Sequence, residues 1–306
     1  MQNNNYNGII IINKPENFTS FDVVAVMRGI LKQKKIGHTG TLDPMATGVL
    51  PVMLGKATKT LSILEDTDKE YIAQFKLGLE TDTQDITGKI LNTADVCVRS
   101  RDIENALENF KGEIFQIPPM YSAVKVNGKR LHELARQSIE VKRKPRKIYI
   151  SNIKLIEFNS DTSVGSLLIS CSKGTYIRTI CHDMGRLLGS YAVLTNLKRT
   201  KACSFTLNDC ITLEQLKSLA DNNKINQYIL GIDTPFHSYN PVSLVLKDAV
   251  KFQNGVKLPL DSININTYRD NELFRVYYQD NFLGLGQVFL NDGIFKIFKN
   301  LSVIKL

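Results

Sequence analysis

The sequence predicts an α+β protein with two domains. Strand and helix patterns are interspersed over residues 1–235, whereas hairpin signals dominate residues 241–306. The 306 residues are 43% hydrophobic and 23% charged, which is typical of a globular protein with a large core. We therefore expect one domain at 1–235 and a small β-barrel-like domain at 241–306.

The composition also excludes several classes of protein. No apolar run approaches the roughly 18 residues of a membrane span, and the first residues, MQNNNYNG, lack the regions of a signal peptide. We expect a cytoplasmic protein. Five cysteines without a CxxC pair argue against a disulfide framework and a zinc site. Neither GxGxxG nor GxxxxGK[ST] occurs, so we expect no nucleotide cofactor and no metal.

The first elements are a buried strand and a helix. The run GIIIIN at residues 8–13 predicts a strand, and a turn at Lys14-Pro15 precedes a helix from about Ser20 to Lys32. Ser20 is a suitable N-cap for this helix.

The segment GHTGTLDPMATGVLPVMLG at residues 37–55 has the character of an active-site loop. Its glycines permit close approach to a ligand, and Pro44 holds Asp43 in an extended conformation. The apolar run Val49 to Leu54 predicts a buried strand that anchors the loop. An aspartate before proline is more often a turn residue than a catalytic one, so the residues alone leave the role of Asp43 open.

The middle of the chain alternates between strands and helices. Tyr71 to Leu79 has the period of a half-buried strand, and Arg101 to Lys111 that of an amphipathic helix stopped by Gly112. The acidic segment DTQD at 82–85 lacks the spacing of a calcium loop, so we expect a solvated loop.

A strand at 166–174 leads into a helix with an apolar stripe formed by Ile177, Ile180, Cys181, Met184, Leu187 and Leu188. Cys181, His182 and Asp183 are not expected to form a catalytic trio, because consecutive helical residues point in different directions. Lys173, Tyr176 and Arg178 lie at the strand-to-helix junction, where a helix N-terminus favours an anion.

The last third begins with a capping box, Thr212 to Gln215, which opens a helix to about Ala220. Beyond it we expect a short helix near Ala249 and strands at Leu273–Tyr278 and Phe282–Leu290. The turn Asp280-Asn281 should join these strands, and Asp292-Gly293 should precede another.

Positive charge is concentrated in one segment. Residues 121–150 hold nine basic and two acidic residues, an excess of seven, whereas the other 276 residues carry only +2 of the total +9. Such a stripe is often only a solvated face, but it is also typical of proteins that bind a phosphate backbone. We favour nucleic acid over a membrane because the stripe lacks a bulky apolar face.

The stretch GHTGTLDPMATGVLPVMLGKATK closely resembles the signature of the bacterial tRNA pseudouridine-55 synthases, the TruB family. Further blocks resemble the same family: INKPENFTSFD, in which Asn17 replaces the usual glycine, then DKEYIAQFKLG, CSKGTYIRT and LTNLKRT.

The segment IPPMYSAVKVNGKRLHELARQSIEV resembles the family's RNA-gripping insertion, which we place at 118–147. Its Asn127-Gly128 predicts a hairpin turn, and Leu131 to Gln137 a short helix. FQNG at 252–255 matches the family's PUA-like C-terminal RNA-binding module.

The resemblance implies a fold, a reaction and a substrate. The fold is a mixed, mainly antiparallel sheet flanked by helices, the pseudouridine synthase fold. The reaction converts uridine 55 in the T loop of tRNA to pseudouridine without a cofactor. It also implies a partner, the T arm of tRNA, and we expect a monomer with no obligate protein partner and no membrane contact.

The resemblance makes Asp43 the catalytic carboxylate and Tyr71 the residue that stacks on the base, places Tyr176 and Arg178 in the active site, and places Leu197 near the base. From side-chain chemistry we expect Arg178 to orient Asp43, and His38 to contact the substrate together with Tyr176 and Leu197. The expected phosphate contacts are Lys14, Lys59, Lys173 and Arg199, and the expected RNA contacts in the basic insertion are Lys125, Lys129, Arg130, Lys142 and Arg143.

Other interpretations remain open from sequence. Asp43 is either a nucleophile at C1′ or a base at C2′. A non-catalytic RNA-binding or tRNA-folding factor would explain the basic segment but would not need Asp43, Arg178 and Tyr71 together. A nucleoside-acting glycosidase would leave the basic insertion unexplained, and a guide-RNA-dependent synthase would have a fuller C-terminal domain.

Overall fold

A computed structural model of the chain describes residues 5–64, 68–126, 128–137, 139–265 and 267–306. Strands β1–β9 lie at Gly8–Lys14, Ile36–His38, Thr47–Leu54, Lys69–Leu77, Leu79–Thr81, Ile90–Thr93, Gly112–Gln116, Lys125–Val126 and Lys129–Arg130. Strands β10–β18 lie at Arg146–Asn159, Val164–Cys171, Ala192–Ala202, Phe205–Thr206, Asn240–Ser243, Leu258–Pro259, Leu273–Tyr278, Asn281–Phe289 and Ile294–Asn300. Helices α1–α6 lie at Ser20–Leu31, Ser100–Leu107, Leu131–Ala135, Ile177–Leu187, Leu213–Asp221 and Leu246–Gln253.

The main sheet contains nine strands. Seven follow the order β1-β3-β12-β4-β11-β10-β7, while β2 pairs with β3 and β13 pairs with β12. Within the described residues, the β3–β12 pair is the one parallel ladder in this sheet, and the others are antiparallel. The predicted α+β class with a mixed, mainly antiparallel sheet is therefore confirmed.

Different helices bury two parts of the sheet. Helices α2 and α4 cover one apolar cluster that includes Phe75, Ile103, Leu167 and Ile180. Helices α1 and α5 cover a second cluster built around strands β1 and β3. Burying an apolar side chain of this size stabilises the fold by about 1.5–3 kcal/mol relative to exposure, so these clusters fix the sheet that carries the site loops.

Local signals located most elements to within a few residues. The capping box of α5 is confirmed, since the Thr212 hydroxyl accepts from Gln215 N at 3.2 Å. The N-cap of α1 is Thr19 rather than Ser20, and Thr19 forms a capping box with Asp22. Ser20 Oγ accepts a hydrogen bond from Leu42 N at 2.8 Å, which ties α1 to the loop after β2. In α4, Leu187 leaves the predicted apolar stripe and is 55% exposed.

The C-terminal region forms a separate five-stranded sheet in the order β14-β16-β17-β18-β15, with α6 packed against it. The predicted hairpin between β16 and β17 is present, but its turn is Gln279-Asp280, because Tyr278 pairs with Asn281. Gln279 accepts the left-handed conformation with φ 51°.

The insertion leaves the sheet after β7 and returns at β10. It contains the β8–β9 hairpin and the short helix α3. Asn127 of the predicted Asn127-Gly128 turn lies outside the described residues. None of the helices in the described part of the chain has the length and apolar character needed to cross a bilayer.

Candidate active site

The loop between β2 and β3 carries Asp43. Two nitrogens of an arginine from α4 contact the Asp43 carboxylate. Arg178 Nε lies 3.0 Å from Asp43 Oδ2, and Arg178 Nη2 donates to Asp43 Oδ1 at 3.2 Å. The two residues are 135 positions apart in sequence. The Arg178 side chain is only 6% exposed, while that of Asp43 is 35% exposed. A planar guanidinium thus fixes a carboxylate that still faces solvent.

Arg178 is itself held by three further acceptors. Its Nη1 donates to Thr83 O at 3.0 Å and lies 3.5 Å from Asp85 Oδ2, and its Nη2 donates to Tyr121 O at 2.9 Å. The segment DTQD is therefore not the solvated loop that we expected, because Asp85 is buried and faces Arg178. Tyr121 belongs to the insertion, so one guanidinium connects the insertion to Asp43.

Two buried cations hold the backbone on both sides of Asp43. Lys14 Nζ donates to the carbonyls of Pro15, Phe18 and Pro44 at 2.8, 2.5 and 3.2 Å. Arg199 Nε donates to Val49 O at 2.7 Å, and its Nη2 donates to Gly40 O at 3.2 Å.

Lys14 and Arg199 are both 0% exposed. Their cationic groups are enclosed behind the loop, where they bond backbone carbonyls, and phosphate contact by these two residues stays a prediction. Burial lowers the pKa of Lys14 to about 8, against the opposing effect of Asp43, and Arg199 lowers it further.

Gly48 allows the close approach that brings Arg199 to this loop. It has φ 103°, and an added Cβ would lie 2.2 Å from Arg199 O. Only glycine is accommodated there, so the glycine predicted to permit close approach serves the parallel contact between β3 and β12.

Tyr71 and Leu197 lie on neighbouring strands, β4 and β12, and pack in one apolar cluster with Leu42 and Ala46 of the Asp43 loop. Tyr71 is 5% exposed and Leu197 is 4% exposed. Burial raises the pKa of Tyr71, and the nearby Arg199 guanidinium only partly opposes this. The phenol therefore stays protonated at neutral pH, and the two side chains give the site an apolar wall.

His38 ends β2 at the other side of the loop. Its Nδ1 is buried and has no hydrogen-bond partner among the residues that the structure describes. Burial lowers the pKa of His38, and the Arg199 cation lowers it further. A neutral imidazole with an unpaired nitrogen at the entrance to the loop is suited to a polar contact with substrate.

The remaining predicted contacts are more exposed. Tyr176 precedes α4, and its backbone N and O are bonded by the Gln116 side chain at 2.8 and 3.1 Å. Lys173 and Lys59 are exposed, the latter on a 3₁₀ helix at Gly55–Ser62. Exposed basic residues of the insertion are Lys125, Lys129, Arg130 and Lys142, whereas Arg143 is 22% exposed and bonds Pro118 O and Glu140.

The outer face of α4 carries an ion cluster that sequence analysis missed. Glu80 Oε1 accepts from Arg186 Nη2 at 2.7 Å and lies 2.8 Å from His182 Nε2. Burial acts to raise the pKa of Glu80, but hydrogen bonds from Asn92, Arg186 and His182 together hold it below its ordinary value. His182 and Arg186 lie four and eight residues after Arg178, so helical spacing was the available signal, but nothing local indicated Glu80.

No group of three or more histidine, cysteine or acidic side chains arranged to hold a metal ion occurs among the described residues. The chemical groups assembled around the loop are a carboxylate oriented by a guanidinium, a phenol, an apolar wall and a neutral imidazole. A carboxylate so oriented can act on a sugar carbon or accept a proton.

Comparison with known families supplies the decisive observation. The family description "TruB family pseudouridylate synthase (N terminal domain)" matches residues 28–177, and "tRNA pseudouridylate synthase B C-terminal domain" matches residues 178–237. A relative from Clostridium kluyveri, named tRNA pseudouridine synthase B, is 45% identical over 280 residues, or 91% of this chain and 94% of that protein. The chain belongs to the TruB family of pseudouridylate synthases.

Other TruB family relatives agree along most of the chain. Proteins of the same name from Clostridium tetani and Clostridium acetobutylicum are each 43% identical, covering 92% and 96% of this chain and 95% and 99% of their own lengths. The boundary between the two matched family regions falls inside α4, so both contribute to the site: Asp43 lies in the first and Arg178 in the second.

Solved structures extend the similarity to more distant proteins. A Cbf5–Nop10–Gar1 complex contains a chain with a TM-score of 0.72 and 26% identity, covering 96% of this TruB family chain and 84% of that one. A chain from an H/ACA RNP bound to a substrate RNA containing 2′-deoxyuridine has a TM-score of 0.69 and 25% identity, covering 92% and 78%. The predicted pseudouridine synthase fold is thus confirmed.

Proposed function

We propose that this protein is a tRNA pseudouridine synthase that isomerises uridine 55 in the T loop, with Asp43 as its catalytic carboxylate. The observation that carries the proposal is the two-point ion pair between Asp43 and Arg178 on the family's signature loop. Membership of a family of pseudouridylate synthases and the names of the 43–45% identical relatives support the reaction and the tRNA substrate.

The reaction conserves every atom of the nucleotide except one exchanged proton. The bond from C1′ to N1 breaks, the freed uracil rotates, C1′ joins C5, and the C5 hydrogen leaves to solvent while N1 gains a proton. Asp43 serves this sequence either by attacking C1′ or by removing a proton from C2′. Both roles need an oriented carboxylate, and the Arg178 fork fixes that orientation.

The surrounding residues have separate tasks in this proposal. Tyr71 and Leu197 hold the flipped uracil between an aromatic face and an aliphatic side chain, and Tyr176 lines the same pocket. Burial raises the pKa of Tyr71, so the aromatic face offered to the base carries no charge at neutral pH. His38 contacts the substrate as a neutral imidazole.

Binding requires the target base to leave the folded T arm, which costs a few kcal/mol. The exposed insertion residues Lys125, Lys129, Arg130 and Lys142 offset this cost by contacting phosphates, together with Lys59 and Lys173. We extend the proposal to domain organisation: residues 1–235 form the catalytic domain, with the insertion at 118–147, and residues 241–306 form an RNA-binding domain.

Release of tritium from C5-labelled uridine in an unmodified tRNA transcript tests the proposal. We expect release with the wild-type protein and a loss of at least about 100-fold with Asp43→Asn, because a positioned carboxylate contributes 10²–10⁴ to the rate. Affinity for tRNA should stay within a few-fold. A transcript without the T-loop uridine is the control.

Two results would contradict the proposal. Tight binding of tRNA without any tritium release would favour a non-catalytic RNA-binding factor. Loss of binding in Asp43→Asn would mean that Asp43 supports the loop rather than the reaction.

A further inference from the structure

A second basic surface lies outside the insertion. Residues 23–64 contain six basic side chains and a single acidic one, Asp43, which Arg178 already pairs. Four of the six basic residues line one open pocket of about 610 Å³. We call this the lysine pocket; it is lined by Lys32, Lys34, Lys35, Lys56, Asn5 and Asn7.

The lysine pocket is built on fixed backbone. Lys32 is the left-handed C-cap of α1, with φ 50°, and Lys35 O accepts from Gly55 N at 2.8 Å. Gln33, between them, is buried and bonds both N and O of Tyr6 through its amide at 2.8 and 2.9 Å. The lysine side chains therefore project from a rigid turn rather than from a mobile loop.

Among the described residues, no carboxylate forms an ion pair with these lysines. None of the ion pairs found within the described ranges includes Lys32, Lys34, Lys35 or Lys56. Lys32, Lys34 and Lys35 are exposed, and Lys56 Nζ donates to Ser302 O. Like charges held this close repel one another, and a polyanion that displaces counterions relieves the repulsion.

The pocket lies next to the site but away from the insertion. Lys35 directly precedes strand β2, which ends at His38, so the two residues are about 10 Å apart at the usual rise per residue. Lys56 and Lys59 are three residues apart on a 3₁₀ helix, so their side chains point the same way.

The insertion leaves the sheet from β7, whereas β2 occupies the same edge of β3 as β12. The distance between β12 and β7 is four strand spacings, or about 19 Å. The lysine pocket and the strand from which the insertion leaves therefore lie toward opposite edges of the main sheet.

We propose that the lysine pocket binds the sugar-phosphate backbone of the same tRNA outside its T stem-loop. This inference rests on the proposed function and adds a second contact region to it. The pocket contributes affinity for intact tRNA, and it takes no part in turnover of a T-arm hairpin that is too short to reach it.

Salt dependence of binding to two RNAs tests this inference. The variant Lys32→Gln/Lys34→Gln/Lys35→Gln removes three charges without touching a residue assigned to catalysis. With intact tRNA, the slope of log K against log salt should become shallower by about 2–3, since each phosphate contact contributes about 0.7–0.9. With an isolated T-arm hairpin, slope and tritium release should both equal those of the wild type.

The matched control removes three exposed lysines elsewhere, Lys154→Gln/Lys217→Gln/Lys224→Gln, and should change neither slope. An unchanged slope for intact tRNA in the pocket variant would overturn the inference, because the lysines would then be only a solvated face. If the slope became shallower by the same amount with intact tRNA and with the hairpin, the inference would also be overturned, because the pocket would then bind the T arm. Absence of tritium release in the wild type would refute the proposed function, while the two slopes would still decide the inference.

Discussion

Arg178 has acceptors on every side, which makes a conservative substitution informative. Lysine would keep the positive charge but would lose the fork that bonds both oxygens of Asp43 and reaches Thr83 O and Tyr121 O. We expect Arg178→Lys to lower kcat about 10- to 100-fold, the usual effect of losing a hydrogen bond to a charged group. Single-turnover tritium release would measure this, and tRNA affinity should change only a few-fold.

Arg186 provides a control on the same helix face. It also grips a carboxylate with two nitrogens, but that carboxylate belongs to Glu80, and Arg186 is 60% exposed. Arg186→Lys should leave kcat within about 3-fold, because both hydrogen bonds of Arg186 go to Glu80 and neither reaches Asp43. Equal losses in both variants would mean that the whole face of α4, rather than the contact with Asp43, controls the rate.

Lys14 should make the free energy of unfolding depend on pH, and the direction of this dependence follows from the burial of Lys14. Its pKa is about 8 in the folded protein and 10.5 as an ordinary lysine. Between these values the unfolded chain holds a proton that the folded protein has released, so raising the pH through this window favours folding. The free energy of unfolding of the wild type, relative to Lys14→Met, should therefore rise between pH 8 and pH 10.5 and stay level below pH 7.

Urea unfolding of both proteins at intervals from pH 6 to pH 10 would measure this difference. Lys217→Met, at an exposed position, should show no such trend. A difference between wild type and Lys14→Met that stays constant up to pH 10 would mean that Lys14 titrates like an ordinary surface lysine.

At the scale of elements, the sequence correctly predicted those helices and strands that are determined by residues close together in the chain. The GIIIIN run became β1, and Thr212 with Gln215 caps α5. Asp43 and Arg178 were anticipated through motifs, and the fold brings them together.

The sequence did not predict burial that results from contacts between residues far apart in the chain. Arg199 is buried because the parallel register places it beside Gly48, and fully buried basic residues are rare enough that solvent exposure was the reasonable expectation. The contact between Asp85 and Arg178 spans 93 positions, so no local signal separated DTQD from an ordinary solvated loop.

The insertion is the element best suited to a test of RNA contact, and its basic residues are not equivalent. Lys125, Lys129 and Lys142 are exposed, whereas Arg143 bonds Pro118 O at 3.3 Å and so also anchors the insertion. The variant Lys125→Gln/Lys129→Gln/Lys142→Gln should make the salt dependence of T-arm hairpin binding shallower by about 2–3. Titrations of the hairpin at several salt concentrations would measure this.

The control for the insertion is again Lys154→Gln/Lys217→Gln/Lys224→Gln, which should bind the hairpin with an unchanged slope. If the insertion variant also kept the wild-type slope, the insertion would be excluded from the RNA interface. The basic excess at 121–150 would then be only a solvated face.

At the scale of the whole molecule, the C-terminal sheet shares a core with the catalytic sheet. Leu285 and Leu301 are fully buried in the same apolar cluster as Ile9, Val49 and Met53. Val49 lies near the start of β3, shortly after the Asp43 loop, so the C-terminal sheet supports the strand that anchors the site. Tyr277 of β16 adds a hydrogen bond to Asp233 at 2.7 Å.

This shared core predicts that the two sheets unfold together. Leu285→Ala should lower the free energy of unfolding by about 2–5 kcal/mol, the usual effect of truncating a buried leucine, and the whole chain should still unfold in one transition. Leu290→Ala, at a 43% exposed position in the same region, should cost under about 1 kcal/mol. Urea unfolding followed by circular dichroism and by loss of tritium release would compare the two. A C-terminal transition that precedes the loss of activity would show that the catalytic sheet holds the Asp43 loop without support from Leu285.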